Sequence, residues 1–435
     1  MLKTILIIAI PAALKHLLDM LLVIIDMIMV GSLGVDQVAA VGLGLQFLMV
    51  LGVMMTLFSV GGNAVISRLK GSGRIYKANI TLYNLVWIVL GLALLSMLLI
   101  IPNVHELYIL MQVSQSVASF GVDYFQTIAF GFLFVFFDML FFTYFSAMGN
   151  TTFALYIKVI SAIINVMLNY ILIFGHFGIP ALGVKGAAIA TVISLAFNIF
   201  IYILILYRSQ TYGMVRVFSS RIIKEVYKIG LPASIERAIA SLSFMFFVAI
   251  IAGYSTQSLA GYQIGLRIEG IAFMPGFGFS VAAMTLMGQY LGAKDPRGAE
   301  QAVVITSWIA AGFMGFVGIL MVLFPEVAIH LFTTDERTVQ EAAIYLRLVG
   351  ISQVPLAMMF VLSAGLRGAG AVKITMIVSL STLWSLRIIP SYMASYISDD
   401  ILWVYVVMTI ETFVKGGLFF YIFKKGSWKK IKLRI

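Results

Sequence analysis

The sequence predicts an all-α membrane protein with twelve transmembrane helices, and three observations lead to that fold class. Hydrophobic residues make up 62% of the 435 positions and charged residues only 11%, whereas a soluble domain carries about 25% charged residues. The apolar residues form twelve stretches, each long enough for the roughly 20-residue helix that crosses a bilayer. Basic residues concentrate in alternate loops between these stretches. Lipid therefore replaces water as the solvent for most of the surface.

The twelve predicted spans form two sets of six. We place them at 4–30, 38–67, 79–101, 120–148, 153–174 and 183–207, and at 226–252, 259–289, 301–324, 341–367, 372–396 and 401–423. This pattern divides the chain into a first six-helix lobe over 1–207, a basic cytoplasmic linker over 208–225 and a second six-helix lobe over 226–435.

Basic residues follow the even-numbered spans. They are Arg68, Lys70, Arg74 and Lys77 after span two; Arg208, Arg216, Arg221, Lys224 and Lys228 after span six; Lys294 and Arg297 after span eight; and Lys424, Lys425, Lys429, Lys430, Lys432 and Arg434 after span twelve. The positive-inside rule makes these loops cytoplasmic. We therefore expect a multi-pass protein of the plasma (cell inner) membrane with both termini in the cytoplasm. The net charge of +11 faces lipid headgroups rather than nucleic acid.

An internal repeat relates the two sets of spans. A single shift of 221 residues maps Pro11, Gly44, Gly71 and Gly149 onto Pro232, Gly265, Gly292 and Gly370. Because six spans bring the chain back to its starting side, both halves enter the membrane in the same orientation. The repeat therefore predicts two lobes related by a pseudo-two-fold axis along the membrane normal, with a cavity between them.

Three ionisable residues share one face of the first span. An ionisable residue within a span costs roughly 2.5–3.5 kcal/mol, so each needs a partner or a role. Helical geometry places Asp19 and Asp26 within about 40° of Lys15. Lys15 and Asp19 are spaced to pair across one turn, whereas Asp26 has no local base. Asp26 is therefore the candidate ion-binding acid; the alternative is that it only holds helices together by hydrogen bonds.

The fifth span repeats this pattern with Lys158, Asn165 and Asn169 on one face. Amide oxygens can ligate a small cation, and the amides can also bond to a protonated carboxyl. The two asparagines are thus candidate partners of Asp26, and all three become metal ligands only if the coupling ion is Na⁺. The 221-residue shift maps Asp26 onto Phe247, so we place ion coupling in the first lobe.

Other polar residues within the spans are candidates for a cavity or a secondary site. They are Asp19, Asp138 and Lys158 in the first lobe and Glu236, Arg267 and Glu269 in the second. Arg267 and Glu269 should point to opposite sides of span eight. Pro275, followed by Gly276 and Gly278, predicts a hinge or an irregular stretch in that span.

Catalysis is not what this composition favours. The chain has no cysteine and only four histidines, and it contains no HExxH pattern, which argues against metal-dependent or thiol-dependent enzymes. The sequence does not exclude an enzyme that uses a serine and a lysine. We expect no enzyme activity and no cofactor beyond a coupling ion.

Several motifs resemble those of the multidrug and toxic compound extrusion (MATE) family, over essentially the whole chain. They are DMIMVG at 26–31, AAVG at 39–42, NVMLNYILIFG at 165–175, LGVKGAAIAT at 182–191, FMPGFGFSVAAMTLMGQYLG at 273–292 and LRGAG at 366–370. The resemblance implies a V-shaped transporter that exchanges H⁺ or Na⁺ for organic, mostly cationic amphipathic compounds by alternating access. We expect it to act as a monomer.

The resemblance also implies roles for particular residues. Asp26 is similar to the first-lobe acid that binds the coupling ion, and Asn165, Asn169 and Thr191 match its partners. Asn169 departs from family members that carry a second acid there, so H⁺ and Na⁺ both stay open. The alternative function is a flippase for lipid-linked oligosaccharide or another lipid, which can share this architecture. A simple channel would not explain the asymmetry between the lobes.

Overall fold

The computed structural model describes residues 1–209 and 211–433, and they fold into a bundle of helices. In the first half the helices are α1 Leu2–Gly31, α2 Val35–Gly71, α3 Ile75–Ile100, α4 Val104–Leu110, α5 Gln115–Phe130, α6 Phe132–Ala147, α7 Thr152–Phe174 and α8 Gly183–Arg208. In the second half they are α9 Ser220–Ala252, α10 Thr256–Gly292, α11 Pro296–Leu323, α12 Pro325–Ile329, α13 Glu336–Gly368, α14 Val372–Thr382, α15 Ile389–Ile397 and α16 Leu402–Lys425.

Over these described ranges, eleven helical segments are long and apolar enough to cross a membrane, with α14 and α15 counted as one segment. The pair α5 and α6, bent by 52° at Gly131, completes twelve. The close packing at the bend requires a glycine, because a Cβ at Gly131 would come within 2.4 Å of the Val192 side chain on α8. The predicted all-helical fold with twelve spans is confirmed.

The predicted linker over 208–225 is helical over its last six residues, and it is attached to the first half. Ser219 caps α9 by accepting a hydrogen bond from the Ile222 amide, so residues 220–225 are helical. Asn84 on α3 donates to the Val217 carbonyl at 2.8 Å and accepts from the Ser219 amide at 2.9 Å. The described part of the non-helical stretch is therefore held against α3 at Val217 and Ser219.

The predicted irregularity at Pro275 was wrong, because α10 continues unbroken through that residue. This helix packs against α13 along one side and against α1 and α2 along another, and such neighbours hold a proline-containing helix together. The irregular stretch lies elsewhere, in a π-helical turn at Leu383–Ile388 that joins α14 to α15.

The two halves join at the face of the bundle where α1 begins and α16 ends, which we call the terminal face. There α2 and α10 are in backbone contact: a Cβ at Gly71 would lie 1.8 Å from the Gln289 carbonyl oxygen, and a Cβ at Gly292 would lie 2.1 Å from that of Arg68. Arg68 also donates to the Ile431 carbonyl at 3.2 Å. Further glycine contacts join the halves at Gly230 with Leu57, at Gly278 with Ala13 and, farther from the terminal face, at Gly270 with Met20.

Adding one methyl group at this junction should be costly. We expect Gly71→Ala to lower the free energy of unfolding by about 1–3 kcal/mol, since an extra carbon in a closed contact forces backbone shifts. Gly42→Ala, at a position with nothing within 4 Å of the added carbon, should change it little. Thermal unfolding of both purified variants checks this, and equal stability of the two would contradict the assigned junction.

Candidate functional site

Asp26 lies in the half of α1 that is farther from the terminal face, and its hydrogen-bond partner lies on α7. The Asn169 side-chain nitrogen donates to Asp26 Oδ1 at 2.5 Å. Asn169 is fully buried, whereas Asp26 is half-buried. The second carboxylate oxygen accepts no hydrogen bond from the residues that the structure describes. Asp26 is thus an acid held by a neutral donor, with one oxygen free for an incoming ion.

The contacts continue from α7 to α8. The same Asn169 nitrogen donates to Asn165 Oδ1 at 3.2 Å, and Asn165 in turn donates to Thr191 Oγ1 at 3.5 Å and to Ser194 Oγ at 3.4 Å. These contacts form because α7 packs between α1 and α8, while the two asparagines are one helical turn apart. The four residues that the sequence predicted for ion coupling lie together.

A separate ion-paired group lies nearer the terminal face on α1. Asp19 pairs with Lys15 at 3.0 Å, as predicted, and with Lys158 of α7 at 2.8 Å. Two lysines therefore neutralise Asp19, and neither forms an ion pair with Asp26. Asp138 on α6 accepts a hydrogen bond from Asn198 at 3.0 Å. These three first-half acids therefore differ: Asp19 is paired with lysines, whereas Asp138 and Asp26 are each bonded to an asparagine amide at separate places.

The oxygens around Asp26 fit a proton directly and fit a metal ion only after a rotation. The Asn169 nitrogen faces the carboxylate, and its oxygen is buried without a hydrogen-bond partner. A Na⁺ ion bound by Asp26, Asn165 and Asn169 would need that amide to turn its oxygen inward. Within the described ranges, no group of three His, Cys, Asp or Glu side chains could hold a metal ion.

The second-half candidates do not form a comparable site. Glu236 pairs with Arg367 at 2.7 Å, and Glu269 accepts a hydrogen bond from the Tyr345 hydroxyl at 2.6 Å. Arg267 is exposed while Glu269 is buried, which agrees with the opposite directions predicted for them. These residues lie apart from the contacts around Asp26.

One buried ionic cluster was not predicted as a unit. Glu411 on α16 is fully buried and pairs with Lys415 at 2.5 Å and with Arg387 at 2.7 Å. Glu411 and Lys415 are four residues apart, the spacing of a pair across one helical turn, but Arg387 comes from the π-helical turn 24 positions away. Arg387 also lies 5.7 Å from the ring of Phe247, the repeat counterpart of Asp26. The sequence feature that could have indicated this cluster is the presence of an arginine, Arg387, within an apolar span.

Comparison with known families gives two matches within this chain. A family model described as MatE matches residues 11–171 and again residues 232–393. The two matches begin 221 residues apart, which is the shift that relates the two sets of spans. Together they cover more than half of the chain.

Two curated relatives carry the same name. The "Probable multidrug resistance protein NorM" of Thermotoga maritima is 27% identical over 429 residues, covering 97% of this chain and 92% of the relative. The protein of that name from Agrobacterium fabrum is 30% identical over 371 residues, covering 82% and 79%.

Solved structures share the fold. A structure titled as the outward-facing conformation of a multidrug resistance MATE family transporter of the MOP superfamily superposes with a TM-score of 0.91 at 21% identity, covering 99% of this chain and 97% of that one. A structure of a MATE protein in complex with MaL6 also gives a TM-score of 0.91, at 20% identity and with the same coverage.

Proposed function

The chain belongs to the multidrug and toxic compound extrusion (MatE) family, and from that premise we propose that it is a secondary exporter of organic compounds. The cargo class we propose is drugs and other amphipathic, mostly cationic molecules, which are exchanged for H⁺ or Na⁺. The names of the curated relatives, which refer to multidrug resistance, support this class.

The observation that carries the coupling mechanism is the environment of Asp26. It is an acid within a membrane span that has an amide donor instead of a base, and such residues mark ion pathways in membrane proteins. When Asp26 is ionised, it accepts the hydrogen bond from Asn169. A proton bound to the free oxygen, or Na⁺ bound after rotation of the Asn169 amide, removes the uncompensated charge. The ion therefore changes which arrangement of α1 and α7 is favoured.

The junction of the halves supports alternating access. The close contacts at Gly71 and Gly292 close the terminal face, so a cargo path there requires the halves to separate. We propose that the structure is the outward-facing state and that cargo enters after this junction opens. Ion and cargo can drive each other only if each binds the two states with different affinity.

The remaining assignments follow from the loops and the family. The basic loops at the terminal face support our proposal that both termini lie in the cytoplasm, since positively charged loops favour that side. The chain is an integral multi-pass membrane protein, and we propose the plasma (cell inner) membrane as its location and a monomer as its working unit. Its partners are then the cargo and the surrounding lipid, with no cofactor beyond the coupling ion.

Transport by purified protein in liposomes tests this function. We expect a fluorescent lipophilic cation to move against its gradient when a pH gradient or a Na⁺ gradient is imposed, and the effective gradient identifies the ion. Because the Asn169 nitrogen, and not its oxygen, faces Asp26, we expect the pH gradient to be the effective one. Flux that ignores both gradients would indicate a channel. Failure to move any test cation, together with scrambling of a fluorescent lipid-linked sugar, would replace the proposal with the flippase.

A further inference from the structure

A cavity of about 700 Å³ lies in the second half, at the end of the bundle away from the terminal face. Its wall is formed by one flank of α9 and by the stretch from Leu383 to Ile397. The residues used below are Phe246, Tyr254, Trp384, Tyr392, Tyr396 and Asp399. This volume is within the roughly 300–1,000 Å³ of sites that hold drug-sized molecules. The cavity is separate from Asp26, which lies on α1 in the other half.

Aromatic rings make up much of the cavity wall. The rings of Phe246 and Trp384 meet edge to face with centroids 6.1 Å apart. Tyr392 and Tyr396 also meet edge to face, at 5.0 Å, with their hydroxyls 2.8 Å apart. All four side chains keep between 38% and 75% of their surface exposed, so ring faces are free for a ligand. Such faces attract organic cations through their electron-rich π systems.

Two polar groups at the cavity lack partners. Asp399 forms no ion pair with any residue that the structure describes. The Tyr254 hydroxyl is buried without a hydrogen-bond partner, and a buried polar group of this kind costs free energy until something bonds to it. Burial raises the pKa of Tyr254, and the carboxylates of Asp399 and Asp400 add to that effect. The phenol therefore stays neutral and can donate.

We propose that this cavity is a cargo subsite for lipophilic organic cations that carry aromatic rings. The rings of the cargo pack against Phe246 and Trp384, its positive charge lies near Asp399, and an acceptor atom takes the free proton of Tyr254. The subsite rests on the proposed export function, because its position at the far end suits cargo about to be released. An interfacial belt also uses Trp and Tyr, but a belt does not require an unpaired acid and a free buried hydroxyl around one cavity.

Binding of tetraphenylphosphonium to the purified protein tests the charge. We expect Asp399→Asn to weaken binding about threefold to fivefold, the range for losing one exposed charge contact. Asp400→Asn is the matched control: it removes the same charge at the next position, and its side chain still accepts from the Leu402 amide as Asp400 does. Equal binding by both variants, whether weakened or unchanged, would overturn the proposal.

The aromatic wall is tested by a second pair. Trp384→Ala should weaken binding about tenfold, because it removes a large ring that packs against the rings of the probe. Trp403→Ala removes a tryptophan that is similarly exposed but lies outside the cavity, and it should bind as the wild type does. If added phospholipid displaces the probe and Trp384→Ala binds normally, the cavity is a lipid site and the proposal is wrong.

Transport separates this inference from the export function. Trp384→Ala should raise the KM for tetraphenylphosphonium export and leave its dependence on the ion gradient intact. Asp26→Asn should retain probe binding in the cavity. If Asp26→Asn abolishes export while Trp384→Ala changes neither binding nor KM, the subsite fails and the export function stands.

Discussion

Asp26→Asn is expected to abolish gradient-driven export and to leave the protein folded. Asparagine matches aspartate in size and can still accept the hydrogen bond that Asn169 donates at 2.5 Å, so the contact between α1 and α7 survives. It cannot take up a proton or carry the charge that holds Na⁺. Export in proteoliposomes under the effective gradient should fall to the level of empty liposomes, with an unchanged thermal unfolding midpoint.

Asp138→Asn is the matched control for this result. Asp138 is also an acid of the first half, it lies within a span, and it is bonded to an amide, that of Asn198 at 3.0 Å. It lies outside the contacts around Asp26, so we expect the variant to keep at least half of wild-type export. Normal export by Asp26→Asn, or equal loss in both variants, would remove Asp26 from the coupling mechanism.

Glu411→Gln is expected to give the largest loss of stability. Glu411 is fully buried and is the shared ion-pair partner of Lys415 and Arg387. Neutralising it leaves two positive side chains close together in a poorly solvated place. Breaking a buried ion pair from one side costs about 3–5 kcal/mol. The thermal unfolding midpoint of the purified variant should fall well below that of the wild type.

Glu326→Gln provides the comparison at an exposed ion pair. Glu326 lies 3.2 Å from Arg347, with side chains 59% and 50% exposed. Water and salt screen such a pair, so its loss should cost no more than about 1 kcal/mol. A Glu411→Gln variant that unfolds at the same temperature as Glu326→Gln would show that the cluster is not a source of stability.

The sequence predicted the spans and the inward faces of the first-half polar residues because both depend on local geometry. Helical spacing alone puts Asp26 on the face of Lys15 and Asp19, and it puts Asn165 above Asn169. Composition then requires these faces to point inward, since lipid cannot solvate them. Two inward polar faces within one six-helix lobe have few other surfaces to contact. In the structure Asp26 and Asn169 are hydrogen-bonded to each other.

Contacts between distant segments could not be predicted in this way. No local pattern connects Arg387 to Glu411, because a helix packing angle decides which buried charges meet. The need for a glycine at position 131 comes from the approach of Val192 on another helix. The cavity near Tyr254 is formed by the end of α9 together with the π-helical turn and α15, which lie far from α9 in the sequence. The start of α9 was not predicted, because its capping residue, Ser219, lies among basic residues that resemble a loop.

The attachment of the linker to α3 has a consequence for biogenesis. Synthesis proceeds from the N-terminus, and domains generally fold as units in that order. Asn84 and the surface that receives Val217 and Ser219 are therefore in the membrane before α9 leaves the ribosome. We therefore expect the attachment to α3 to constrain where the seventh span enters, since α3 is synthesised before α9.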